Sequence, residues 1–494
     1  MAERRRLLAD LTPLRESAAF RRLWAGTTLS SVGSSLTGFA VMLQVYDLTR
    51  SSFAVGAIGV AQMVPTLTVG LVCGPVVDAL DRRRLVLATS TCLALVSAAL
   101  AVLAFAGPHL LWPLYALVAV QSAISAVDRP ARGTFVPALL PPGQVAAGLA
   151  LNRVSFQIML TVGPALAGLI AAAPHLGLRA CYLTDMVSFT AALYGIARLP
   201  AMRPDTPARP GPRAVAEGFG FIRRSQVIGG AFLADLNATV FGLPVALFPA
   251  INAERFGGDP RTLGLLTTAI GIGGLASTAF SGPVSHVVRQ GRAMLVTVAV
   301  WGAAFAGFAV APGLWLTLSL LAVAGAADAF TVVFRGAIVA ATTPDQLRGR
   351  VMAADYVVGA GGGQLGSLEA GALASLTTPV ISAAAGGLAT VAGAVAIGLA
   401  MPAFTRYRRD AEYRRDAAGQ RARPGDAQRA RREEGQRARP EEGPLARSDG
   451  RDAGQPAPVV TGSSPRRQGY RGSRSSSTRR RRSPRDRSRR IRPC

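Results

Sequence analysis

Between residues 24 and 403 the chain alternates apolar runs of about twenty residues with short polar interruptions, a pattern too long in period for amphipathic helices or strands. Lipid offers no partner to backbone N–H and C=O groups, and a hydrocarbon core of roughly 30 Å takes about 20 residues of helix. Each run therefore predicts a transmembrane helix. About twelve are predicted, at 24–46, 53–77, 85–106, 111–131, 150–172, 178–199, 227–250, 262–287, 293–311, 313–335, 351–373 and 379–403. The first begins at Trp24 and is too long for a signal-peptide core, so it is kept as a span.

The polar interruptions set the orientation. With the N-terminus inside, one side carries Arg82 to Arg84, Arg129, Arg132, Arg198 through Arg224, Arg289, Arg292, Arg335, Arg348 and Arg350. The other carries only Arg50, Arg179, Arg255 and Arg261. Cytoplasmic loops concentrate Lys and Arg, so both termini are expected in the cytoplasm of a bacterial inner-membrane protein.

The chain is half hydrophobic yet bears a formal net charge of +26, a pairing that one soluble domain does not accommodate. The two properties separate along the sequence, because 27 of the 54 basic residues, all Arg, lie in 405–494. That segment contains QRARPGDA, QRARREEG and QRARPEEG in tandem from Gln420 and then an Arg/Ser run. Its dense charge and low hydrophobicity predict a disordered tail suited to anionic lipid, without specific nucleic-acid recognition. The four cysteines show no disulfide framework or metal spacing.

A Pro-rich basic linker, 201–226, divides the spans six and six, giving an N-terminal segment 1–23, one bundle at 24–200 and a second at 227–404. Its second half, from about Arg213, reads as an amphipathic helix on the inner membrane surface. An internal repeat supports the division. GPVVDALDRRRLVL from Gly74 matches GPVSHVVRQGRAML from Gly282 at an offset of 208 residues, and ARGTFVPALLPPGQ from Ala131 matches FRGAIVAATTPDQ from Phe334. Parallel repeats of this kind are associated with transporters that rock about a central site. The predicted fold class is all-α integral membrane, with two pseudo-symmetric six-helix bundles.

Gly74, Asp78, Arg82 and Arg83 match the G-x-x-x-D-R-x-G-R-R loop of the major facilitator superfamily, which the chain resembles over residues 20 to 403; Ala79 and Asp81 depart from the pattern. The resemblance implies an inner gate in which Asp78 and the following Arg latch to a carboxylate at the inner end of helix four, where Asp128 stands. GPALAG, with Gly163, Pro164 and Gly168, is similar to a helix-five motif of the antiporter branch and allows close packing and a bend. FRRLWAGTTLSSVG, VYDLTRSSFAVG and TTPDQLRGRV resemble the bacterial siderophore exporter group, which also contains drug exporters.

Polar side chains within spans are the remaining candidates, since they are costly in lipid and usually face a cavity or a partner. Asp235, Asn237, Gln121 and Gln157 fall near mid-depth, and Asp328 somewhat nearer the inner end. In the resembled superfamily helices one, four, seven and ten line the cavity, which makes Asp235 and Asp328 the leading coupling candidates. No phosphate loop occurs, so no cofactor is expected and the proton gradient is the expected energy source. The predicted protein is a monomeric non-enzyme, a secondary transporter exporting a siderophore-like or drug-like small molecule by proton antiport. Uptake, a non-transporting receptor or scramblase, and a tail-driven scaffold are the alternatives.

Overall fold

The computed structural model describes residues 10–72, 80–106, 111–175, 177–200, 212–279 and 287–408. The described residues are helical, without strands. We number the spans α1 (Ala18–Thr49), α2 (Ser52–Val72), α3 (Arg82–Ala106), α4 (Leu111–Gly133), α5 (Val145–Ala171), α6 (Leu178–Ala197), α7 (Gln226–Phe241), α8 (Pro260–Ala279), α9 (Gln290–Val310), α10 (Leu314–Thr342), α11 (Asp345–Leu376) and α12 (Pro379–Ala400). "Inner" denotes the end carrying the Arg-rich loops.

Among the described residues ten stretches are long and apolar enough to cross a membrane, and α8 and α11 complete the expected twelve. Both lie between the halves. α11 carries Arg348, Arg350, Asp355, Gln364 and Glu369, and α8 is rich in Gly, Thr and Ser. α2 packs on α11 and α5 packs on α8, so neither α8 nor α11 is a purely lipid-facing helix.

Within each half the same neighbours recur. α1 packs on α5 and α6, α3 on α4 and α6, and α2 on α4; correspondingly α7 packs on α11 and α12, α9 on α10 and α12, and α8 on α10. The duplication reaches the caps. Ser17 accepts from the Phe20 N–H at the start of α1, and Ser225 accepts from the Ile228 N–H at the start of α7, again 208 residues on. A Ser oxygen satisfies one of the orphan donors of each first turn, so the repeat has kept helix-start chemistry as well as hydrophobic pattern.

Helix seven is interrupted, which its apolar run does not announce. α7 ends at Phe241, Gly242 caps it, and after Pro244 a 3-10 turn Val245–Leu247 leads into the short helix Phe248–Phe256. Pro244 has no N–H to continue the ladder, and the Gly242 carbonyl is taken by the Trp301 indole N–H of α9 at 2.7 Å. A break inside protein is tolerated because its freed backbone groups find partners there.

The linker forms a helix at Pro212–Arg224, as its sequence predicts, and the helix is docked on α11. Glu217 pairs with Arg350 at 2.9 Å, a Cβ at Gly218 would strike the Arg350 carbonyl, and Phe219, Phe221 and Ile222 pack with Val351, Ala354 and Val358. Its apolar face is thus covered by protein, a contact that amphipathicity alone does not reveal. Residues 201–211, and the tail beyond Arg408, lie outside the described residues.

Candidate functional site

Glycine governs how the halves meet. At the outer end of α2 a Cβ at Gly56 would collide with the Ser367 carbonyl, one at Gly59 would lie 2.6 Å from the Gln364 carbonyl, and one at Gly371 would lie 2.5 Å from that of Ser52. Toward the inner end the neighbours become side chains: a Cβ at Gly361 would lie 3.7 Å from Met63 Sδ, and one at Gly70 would lie 3.3 Å from the Tyr356 hydroxyl. The α5/α8 seam repeats this. A Cβ at Gly168, Gly264 or Gly271 would lie 2.6, 2.7 and 2.7 Å from the carbonyls of Pro260, Pro164 and Leu160, and nearer the inner end one at Gly274 would lie 3.1 Å from the Gln157 side chain. Backbones touch at the outer end and only side chains bridge further in, so the halves converge outside and part inward. A small cavity among Tyr46, Arg50, Glu254 and Ser375 lies on the closed outer side, away from the acids discussed next.

At mid-depth both seams are bridged by glutamine. The Gln157 amide donates to the Gly271 carbonyl at 2.7 Å, and that of Gln364 donates to Gln62 Oε1 at 3.0 Å. Gln157 and Gln364 stand 207 residues apart, on α5 and its repeat equivalent α11. Gln157 is therefore a tie between halves, and the Gln62–Gln364 pair, not foreseen, makes a tie across the other seam.

Beside the inner opening, α7, α10 and α11 bring four charges together. Arg335 Nη1 lies 3.3 Å from Asp235 Oδ2 and 2.5 Å from Asp355 Oδ1, and the guanidinium sits 6.0 Å from the Phe232 ring centroid. The Asp235 and Arg335 side chains are 8% and 14% exposed, while that of Asp355 is 29% exposed. Asp328, half-buried two turns before Arg335 on α10, lies within electrostatic reach of Asp235 and Arg335 but forms no hydrogen bond or ion pair with a described residue. One guanidinium thus faces three carboxyl groups. With every acid ionised the group holds two excess negative charges, an arrangement unfavourable in a low-dielectric span unless a proton or a cation joins it.

The other candidates take different places. Asn237 lies about 200° round α7 from Asp235, at 100° per residue. It donates to the Thr390 carbonyl at 2.9 Å and rests against Gly393, so its expected place in the cavity is corrected to α7–α12 packing, where an amide fits over a glycine. Gln121 on α4 is half-buried and forms no hydrogen bond with a described residue. Gly163 lets Ser35 of α1 against α5, and Pro164 and Gly168 form part of the α5/α8 seam within a continuous helix.

In the inner-gate motif Gly74 and Asp78 lie outside the described residues. Asp81, one of the departures from the motif, caps α3 by accepting from the Arg84 N–H at 3.0 Å. Arg82 is half-buried, and Arg83 donates to the Ala197 carbonyl at the inner end of α6. Asp128, 5% exposed, accepts from Thr89 at 2.6 Å and pairs with Arg132 one turn on, while Arg132 donates to Ser90 at 2.8 Å. Its partners here tie α4 to α3.

Comparison with known proteins identifies the family. The model of the family described as transmembrane secretion effector matches residues 8–417. The chain belongs to that family. It is a multi-span small-molecule export transporter of the major facilitator superfamily. The enterobactin exporter of Escherichia coli O1:K1 is 26% identical over 405 residues, covering 81% of this chain and 96% of the relative, and that of Citrobacter koseri gives the same figures. Among solved structures, the nucleoside transporter NupG aligns with a TM-score of 0.61 at 13% identity over 79% of this chain and 100% of its own. A bacterial homologue of the iron transporter ferroportin in its inward-facing state aligns at 0.59 and 15% over 78% and 98%. At these identities the structures speak for the fold alone.

Proposed function

We propose that the protein works by proton antiport, exporting a siderophore-like or drug-like compound from the bacterial cytoplasm across the inner membrane as a monomer with both termini inside. The observation carrying this reading is the excess of acid around Arg335. In the inward-open arrangement Asp328 and Asp235 border the space between the halves, and each proton or cationic group that enters relieves their repulsion. Binding that is stronger in one arrangement than the other shifts the balance between them. Proton uptake from outside and release inside would then drive export. Siderophore chemistry is supported by the kinship with the enterobactin exporters.

The test is export of endogenous siderophore and of an antibiotic panel by cells with and without the gene, each with and without a protonophore. The expected result is protonophore-sensitive release of one compound, lost in Asp328→Asn. If Asp235→Asn and Asp328→Asn both sustain uphill export, the coupling assignment is wrong.

A further inference from the structure

Asp185 on α6 is fully buried, yet no cation pairs with it among the described residues. Its carboxyl group is held by hydroxyls from two other helices. Thr37 of α1 and Ser97 of α3 donate to Oδ2 at 2.6 and 2.7 Å, while Ser34 of α1 approaches Oδ1 at 3.4 Å. Ser188, one turn on, donates to the Asp185 backbone carbonyl at 2.7 Å and lies beside the carboxyl group. Room for the group is made by Gly33, where a Cβ would lie 2.7 Å from Oδ1 and would overlap the Ser188 hydroxyl.

The two oxygens are therefore unequal. Oδ2 accepts from two close hydroxyls, as either a carboxylate oxygen or the carbonyl oxygen of a carboxylic acid can, and Oδ1 has one long hydrogen bond, from Ser34, which makes it the oxygen placed to carry a proton. A serine hydroxyl both donates and accepts, so Ser34 can donate to ionised Oδ1 or accept from protonated Oδ1 by rotating. Ser34 is also half-buried, on a stripe of α1 with Ser31 and Gly38, and Gly38 faces open space. That stripe belongs to a helix hemmed in by α5 and α6 on its own side and touching the short helix Phe248–Phe256 of the opposite half at its outer end. Its open face therefore looks between the halves.

The ionisable groups of the neighbouring elements are occupied elsewhere or stand at the helix ends. Arg22 and Arg83 lie at the inner end of α6, Arg153 at the inner end of α5, and Asp47 and Arg50 at the outer end of α1. Arg179 binds the Ala104 carbonyl, the Tyr182 hydroxyl binds Gln44, and the Cys181 thiol points to the Ala167 carbonyl.

We infer that Asp185 is a second protonation site, in the N-terminal half, exchanging its proton with the central opening through the Ser34 hydroxyl. The step adds H⁺ to Oδ1, converting carboxylate to carboxylic acid, and no other bond changes. The close oxygens and the filled space at Gly33 suit a proton and leave no room for a metal cation. The inference stands apart from the acids around Arg335 and does not require export to be proton-driven.

The experiment is infrared difference spectroscopy of the purified full-length protein in lipid nanodiscs across a pH series, without substrate or gradient. The expected result is a carboxylic C=O band that appears on acidification and is lost in Asp185→Asn. In Ser34→Ala, which keeps the carboxyl group, the band should persist while its hydrogen–deuterium exchange slows. A band that Asp185→Asn abolishes but that is constant across the pH series, or its absence at every pH, would overturn the proposal. So would displacement of the band by sodium but not by choline, or unchanged exchange in Ser34→Ala.

Discussion

Arg132 and Arg335 hold the same position in the two repeats and bind acids from different places. Arg132 turns back one helical turn to Asp128, while Arg335 reaches off its own helix to Asp235 and Asp355. The cause is a single change of side chain. In the N-terminal half Thr89 bonds Asp128; at the equivalent positions Thr297 bonds Thr331 at 2.8 Å. Thr331 preserves the interhelical hydrogen bond but supplies no charge, so Arg335 is released to join α7, α10 and α11. The repeats share a scaffold, and the replacement of one carboxylate by Thr331 turns a local brace into a charge group that joins three helices.

Arg132→Ala leaves Asp128 buried with only a threonine donor, and removing one partner of a buried ion pair costs about 3–5 kcal/mol. The thermal midpoint in detergent should fall markedly. Adding Asp128→Asn should recover most of that loss, because the uncompensated charge goes with it. Additive losses in the double variant would show that the pair is not coupled.

Arg335→Gln removes the lone cation from a group of three acids. Active export should be lost while the protein still inserts and folds, and Asp235→Asn in the same chain should partly restore it by lowering the repulsion. Wild-type export by Arg335→Gln in a transport assay would remove the charge group from the mechanism.

Gln157→Ala and Gln364→Ala each remove one neutral hydrogen bond between the halves, a bond worth about 0.5–1.5 kcal/mol. Either change should shift the inward-to-outward balance several-fold, and the double variant should shift it by roughly the product, since the two seams share no partner. Distances between spin labels on the two halves measure the balance.

Gly264→Val places a side chain where the Pro164 carbonyl already stands 2.7 Å from the Cβ position, so the outer seam cannot close fully. The expected outcome is a population opened to the outside and a loss of export. Labels at Asp47→Cys and Ser375→Cys, with the native cysteines replaced, should read a longer distance than in the parent.

Glu217→Ala breaks a half-exposed pair and should change stability by less than about 1 kcal/mol. Gly218→Leu meets the Arg350 carbonyl and should undock the linker helix, seen as faster proteolysis between the halves with the spans intact. Equal behaviour of the two variants would deny the helix its docked position.

The span pattern was legible because lipid imposes it, and the twofold plan because Gly74 and Gly282 head matching loops. Asp235 and Asp328 stood out as acids well inside apolar runs, but Asp355 did not, because it lies near the inner end of the predicted span 351–373, where an acid draws no attention. Arg335 counted as an inner-loop residue, since a sequence does not show that α10 continues to Thr342. Asn237 showed the reverse: its apparent depth was informative, but the face it occupies depended on α12. Gln62 and Gln364 are ordinary amides until two helices from opposite halves are laid side by side. The break after Phe241 had a visible signal in Gly242 and Pro244, which an apolar run masks.

The docked linker helix sets the mechanical slack of the machine. Between Pro200 and Pro212 the cord joining the halves can span at most about 40 Å, ample for a rocking movement, so its length is no brake. The helix that ends the cord is fastened to α11, and through Ala354 and Phe232 its apolar contacts continue to the residues around Arg335. The helix that follows the connection therefore moves with α11, which carries Asp355, and so belongs to the charged group's half of the machine.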